Sequence, residues 1–568
     1  MTDLSMHNDS RTSSRTTLRL VFWTLGILIA CFQAWAFRYS VSADSISYLD
    51  MSDGAMPGGD WHRLISGTWS PLYPVLLGLF RRALNISPQN EIVAAHICNV
   101  IIFVFAFACF EVFLTNFLRR MQSPEIAKQP DMAQGLWVFL SLAYSLFLWS
   151  SLSAITLRYL RPDMLMSGFV YLATGMLFRF SARPAAWIDY LKLGFVLGIS
   201  FLAKEPMLPI SVLMLAISLF LVESWRPALK MAIASLAIIL VIGGLYFVPL
   251  SRMRGRFTLG ESGAYNYLVN VDRAGPGYGW YLQNPGKAVG TFLHPPNQIF
   301  QSPPVYAFGQ PSLVTHPLRF DPSEWMAGVR PRFALKRQIG EIYSDIIDLA
   351  KSVRGLILLF IALLLLTFTI DRKAVIRGIA RAWPIWLIAI AACAMYVLVH
   401  VESRYVGTFF VLILCSIVFA LVESFRALNR NLLFIGTIAL VVSFLVPVIH
   451  RDYVEYQRAG RGPNHDALAA AALRDLGIQA GDHIARISPL VTDLGPERIG
   501  RLEVVAEVDF THANEFWSAP VQVQEQILSL FASHGAKAVI ATRRDSTEPS
   551  ASGWKHLSGK YWVWLPQR

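Results

Sequence analysis

Four short stretches place ionisable side chains at the edges of apolar runs, and their residue types suit proton abstraction beside a bound phosphate. Asp44 and Asp50 fall in Ser42-Ala-Asp-Ser-Ile-Ser-Tyr-Leu-Asp, just past the first apolar run. A carboxylate there can serve as general base, taking the proton of an attacking hydroxyl or amine. Asp44 and Tyr48 are four apart and share a helix face. Asp44 equally suits the cap of a helix beginning at Ser45. In Leu157-Arg-Tyr-Leu-Arg-Pro-Asp, Arg158 and Arg161 can clamp a phosphate bidentately, or pair with Asp163 and snorkel to headgroups. Lys204-Glu205-Pro206 interrupts two apolar runs. Lys204 there can be a point charge for phosphate with Glu205 orienting it, or both can form a salt bridge at a hairpin turn. On the first reading Lys204→Gln weakens donor binding and leaves folding nearly unchanged. His400-Val-Glu402-Ser-Arg404-Tyr405 marks another junction, whose charges either close the same pocket or pair at the interface.

Several chemistries have no motif here. The chain holds no Walker A sequence, no His-Glu-x-x-His, no Cys-x-x-Cys pair and no Gly-x-Ser-x-Gly elbow. Nor does the sequence show a tight cluster of metal ligands, so no metal residues are assigned.

The elements that must position these residues are membrane helices. With 568 residues, 54% of them hydrophobic, 15% charged and a mean hydropathy of +0.45, polar material is too scarce to cover a soluble globule. Since roughly 20 apolar residues cross a bilayer, about eleven spans are predicted. They cover residues 18–37, 92–118, 135–157, 164–180, 188–203, 207–225, 230–250, 352–370, 383–401, 405–424 and 431–450. The net charge of +12 comes from Arg and Lys in alternate short junctions, with no aromatic-interleaved patch for nucleic acid. The positive-inside rule then puts the tail 1–17 in the cytoplasm and all four sites, with residues 451–568, on the outer side. The five cysteines lie inside spans, so no disulfide is needed. Outer loops 38–91 and 251–352 flank this 18–450 membrane domain. The first should hold two surface helices, at Ser45–Ser52 and from Trp69 onward. The second carries Gly275-Pro-Gly-Tyr-Gly-Trp and suits a lid or a sugar-contacting surface. Residues 451–568 alternate helix and strand signals, as in a small soluble α/β domain. The expected fold class is thus an α-helical polytopic membrane protein with a C-terminal α/β domain.

Asp44 with Tyr48, Trp69-Ser-Pro-Leu-Tyr-Pro, Arg161-Pro-Asp163, Leu202-Ala-Lys204-Glu-Pro206 and Glu402-Ser-Arg404-Tyr405 together resemble the GT-C glycosyltransferases. Within that group the chain is most similar to the bacterial protein mannosyltransferase and aminoarabinose-transferase-like proteins, over residues 18 to 450. The resemblance implies inverting transfer of a sugar from a polyprenyl-phosphate donor to an envelope acceptor, at a bacterial cytoplasmic membrane. It implies Asp44 as base. Ser45 stands where many relatives have a second carboxylate, a charge Asp163 could supply. Some relatives bind a divalent metal near this site, so a divalent metal stays open here. Two other classes are weighed beside this. A transporter or lipid flippase predicts inverted repeats and midplane charges, whereas these charges gather on one face. A non-enzymatic envelope scaffold or sensor would use the α/β domain as its binding module.

Overall fold

The computed structural model describes residues 2–121, 132–180, 186–274, 286–309, 314–359, 361, 372–423, 430–490, 492–543 and 553–566. Its first part is a helical bundle: α1 (Thr2–Ala36), α2 (Ala43–Ser52), α3 (Leu72–Ala83), α4 (Glu91–Met121), α5 (Met132–Trp149), α6 (Asp163–Phe180), α7 (Trp187–Ala203), α8 (Met207–Leu219) and α9 (Trp225–Arg254). After the outer loop come α10 (Leu335–Val353), α11 (Arg372–Arg381), α12 (Trp383–Val397), α13 (Ser403–Glu423) and α14 (Arg430–Glu455).

Six helical segments among the described residues are long and apolar enough to cross a bilayer, and a seventh arises if α11 and α12, bent by 71° to each other, form one span. The expected span at 352–370 lies largely outside the described residues, as does Gly275–Trp280. Every other expected span is helical, but α7 and α8 are short. The 13 residues of α8 rise only about 20 Å at 1.5 Å per residue, less than a hydrocarbon core. The polar Lys204-Glu205-Pro206 break separates the pair.

The bundle core is aromatic. Phe103, Phe107, Phe110, Phe113 and Phe117 of α4 recur at helical spacing and are fully buried. They pack, in stacked, tilted and edge-on pairs, against Phe147 of α5 and Tyr171 and Phe178 of α6. Close approach needs small residues: a Cβ at Gly175 of α6 would come within 2.9 Å of the Phe113 Cα, and one at Gly194 of α7 within 2.7 Å of the Ser235 Cα on α9. Val241 and Leu245 of α9 are 72% and 71% exposed, an apolar surface that suits lipid tails.

The C-terminal unit contains α15 (His465–Asp475), α16 (Gly495–Gly500) and α17 (Val521–Ser533). Its sheet has seven strands: β1 (Asn297–Phe300), β2 (Val305–Ala307), β3 (His483–Ile487), β4 (Glu503–Val508), β5 (Ala538–Thr542), β6 (Trp554–Ser558) and β7 (Tyr561–Trp564). They run in the order β1-β2-β4-β3-β5-β7-β6, with β3 parallel to β4 and β5 and the outer pairs antiparallel. The boundary expected at Arg451 is therefore revised. Two strands come from the outer loop, and Val305, Tyr306 and Ala307 pair with Val508, Glu507 and Ala506. Short strands in a Pro-rich loop carry too little periodicity to be read locally.

Candidate active site

At one end of the bundle α1 and α7 finish while α6 and α13 begin, so their terminal residues meet. Around them lies a cavity of about 900 Å³, bounded by Asp44, Tyr48, Arg158, Arg161, Lys204, Glu205, Glu402, Arg404 and Tyr405 on the membrane side. Asp466, Asp493, Lys560 and Tyr561 of the C-terminal unit form another part of its wall.

The first turn of α2 sets the position of Asp44. Ser42 is the N-cap, its Oγ accepting the Ser45 amide at 3.2 Å. The alternative role of Asp44 as cap is thereby corrected: its carboxylate faces the cavity, 28% exposed, 3.3 Å from Arg161 Nη2 and 3.9 Å from Arg404 Nη1. Tyr48, one turn on, is buried between the rings of Trp69 and Tyr73, each 5.3 Å away. Burial pushes its phenol up, so it stays neutral. Asp50 does not reach the cavity. It is buried on the other side of α2, accepting from Thr315 and, at 2.6 Å, from Arg498.

Asp163 opens α6 with only 1% of its side chain exposed, ion-paired to Lys204 and 3.3 Å from Arg404 Nη1. A carboxylate so deeply buried and so tightly paired anchors its cations, whereas Asp44, though near two arginines, keeps part of its carboxylate open to the cavity. Lys204 also stands 3.8 Å above the Tyr405 ring. Arg404 forks onto Glu402 at 2.7 and 2.8 Å and donates to the Tyr405 hydroxyl at 2.9 Å. Burial works against it, yet Arg404 and His400 hold the Glu402 carboxyl far below its usual range. The expectation that Glu205 orients Lys204 is corrected: Glu205 accepts the Ser262 amide of the outer loop at 3.0 Å, and burial pushes it up to about 7.

Arg158 differs from the other cations. Among the described residues no carboxylate pairs with it; its guanidinium lies 5.1 Å from the Phe37 ring and 5.0 Å from the Tyr159 ring. The turn that carries it begins at Thr156, whose φ of 65° is unusual for a β-branched residue and costs about 1–3 kcal/mol. Gln33 holds that turn, its Oε1 accepting from the Thr156 hydroxyl and the Leu157 amide at 3.1 and 2.7 Å.

The site thus offers a half-open carboxylate beside Arg161, a guanidinium at Arg158 with no carboxylate partner among the described residues, and a buried charge network that fixes Lys204 and Arg404. No family model and no curated protein matches the chain. Among solved structures it is similar to ArnT from Cupriavidus metallidurans in the apo state, with 13% identity and a TM-score of 0.44 over 98% of this chain and all of that one. The same protein bound to undecaprenyl phosphate gives 12% and 0.43 over 97% of this chain and all of that one. The Archaeoglobus fulgidus oligosaccharyltransferase tethered with an acceptor peptide gives 11% and 0.42, over 92% of this chain and 69% of that one.

Sequence reading missed the C-terminal share of the wall. Lys560 pairs with Asp493 at 2.5 Å, and the Tyr561 hydroxyl donates to Asp466 at 2.7 Å. No local motif marks these residues, which come from α15, a loop and the start of β7 and meet at the cavity only through the packing of the C-terminal unit.

Proposed function

We propose that the chain is a membrane glycosyltransferase that moves a sugar from a polyprenyl-phosphate donor to an envelope acceptor, a lipid, glycan or protein, by inverting transfer. The observation that carries this is one cavity holding both the accessible Asp44 carboxylate and the Arg158 guanidinium, which has no carboxylate partner among the described residues. Arg158 and Arg161 take the donor phosphate at the end of the bundle, where a lipid-anchored headgroup sits. An acceptor hydroxyl or amine attacks the anomeric carbon from the face opposite the phosphate and loses its proton to Asp44. The new bond forms as the carbon–oxygen bond to phosphate breaks, and the electron pair leaves on the phosphate oxygen. Asp163 and Glu402 hold Lys204 and Arg404, while Asp466, Asp493 and Lys560 offer the acceptor polar contacts. The site faces the outer side of the cytoplasmic membrane, with the N-terminus inside.

Asp44→Asn keeps the size and the first turn of α2. Its turnover in a polyprenyl-phosphate-sugar transfer assay should fall by at least about 100-fold, the lower range for losing a general base, with donor binding retained. Transfer at a near-native rate would remove Asp44 from that role.

A further inference from the structure

Beside the cavity, three further side chains converge from two separate segments. Glu341 and Asp345 are four apart on α10 and share one face of it, and His400 stands in the turn before α13. One ligand atom from each lies within 4.8 Å of the other two. Asp345 is 1% exposed. Its Oδ1 accepts the Val401 amide at 3.1 Å, whereas Oδ2, also out of contact with water, has no hydrogen-bond partner. A buried carboxylate oxygen left without a donor is costly, and a cation would satisfy it.

The surroundings match an outer ligand shell. Glu341 Oε2 accepts from Arg273 at 2.7 Å, which orients that carboxylate, and the Arg273 guanidinium is 64% exposed and well screened. His400 Nε2 faces Glu402 Oε1 at 3.8 Å, a carboxylate beside the imidazole. One imidazole with two carboxylates suits a divalent transition ion such as Zn²⁺ or Mn²⁺ better than Mg²⁺, which favours oxygen donors and retained water. We propose that Glu341, Asp345 and His400 form a divalent transition-metal site that fastens α10 to the turn carrying Glu402, just ahead of Arg404 at the start of α13.

The test is direct binding, made without sugar donor or acceptor, so it stands apart from the transfer reading. Full-length protein in nanodiscs, stripped with chelator, is titrated with Mn²⁺ while the free ion is followed by electron paramagnetic resonance, and Zn²⁺ is then added as competitor. The expected result is one ion per chain, displaced by Zn²⁺, with at least tenfold weaker binding in Asp345→Asn and Glu341→Gln. Asp348→Asn, an exposed acid on the same helix paired with Lys351, should bind as the wild type does. Co²⁺ loaded in place of Mn²⁺ should give an absorption band that His400→Gln changes. Absence of binding to the wild type overturns the site, as does unchanged affinity in Glu341→Gln. That variant decides the matter if Asp345→Asn fails to fold.

Discussion

Lys204 and Arg158 are both cations at the cavity, yet their replacement should have opposite consequences. Lys204 neutralises Asp163, which is 1% exposed. Lys204→Gln would leave that carboxylate with Arg404 alone, and losing one member of a buried pair costs up to about 3–5 kcal/mol. Read from sequence, Lys204→Gln leaves folding nearly unchanged; the pairing reverses that expectation, and a thermal melt of the purified protein should show a large drop. Arg158 has ring contacts and no carboxylate partner among the described residues. Arg158→Gln should therefore change stability by about 1 kcal/mol or less while weakening retention of a polyprenyl-phosphate sugar, the normal outcome for a residue outside any buried network. Equal melting losses in the two variants would contradict this division of roles. Residue identities made all these positions candidates. Which of them are already paired was settled by neighbours 41 and 241 positions away in the chain.

At the scale of elements, the cavity depends on where helices begin and end. Ser42 starts α2 through its bond to the Ser45 amide, and its Oγ also lies 2.9 Å from the Ser45 Oγ. Ser42→Ala should cost about 1 kcal/mol and loosen the turn that carries Asp44, while Ser42→Asp keeps an acceptor at the cap. The check is a pair of melts with transfer rates: both should fall for alanine and recover with aspartate. If alanine melts and turns over like the wild type, the cap does not set Asp44. The C-terminal end of α7 is placed in a different way. Gly194 and Gly198 let α9 approach closely, Gly198 meeting Ile242 and Ile239, and this fixes where the chain emerges at Lys204. Helix existence was legible because apolar runs of bilayer length are a local signal. Helix termini were less so, since Ser42, not Asp44, proved to be the cap.

Across the whole molecule, the C-terminal unit is tied to the bundle by a buried charge cluster. Arg498 of α16, 1% exposed, bonds Asp50 at 2.6 Å, Asp53 at 2.7 and 2.9 Å, and Glu91 at 2.8 and 3.0 Å. Arg501 and Arg81 complete it against Asp53 and Glu91. Because α2 carries Asp44 toward the cavity and Asp50 toward Arg498, the same short helix joins site and domain. Arg498→Met leaves its carboxylates short of charge, for an expected loss of about 3–5 kcal/mol. Limited proteolysis of the full chain should then cut the region after Glu455 sooner than in the wild type. Native proteolysis and melting would show that the unit docks without this network.

The sequence alone determined that apolar helices build the bundle, though not how many of them span, together with the grouping of charged motifs at one set of helix ends and most strands of the C-terminal sheet. These follow from composition and periodicity within a few neighbouring residues, because lipid and sheet faces select side chains by position along the chain. The tertiary structure alone decided that β1 and β2 join that sheet from residues 297–307. It alone paired Arg498 with Glu91 across 407 positions, and Lys204 with Asp163 in place of Glu205. Coulombic and hydrogen-bond partners are chosen by distance in space after packing has excluded water, and no local pattern records that choice.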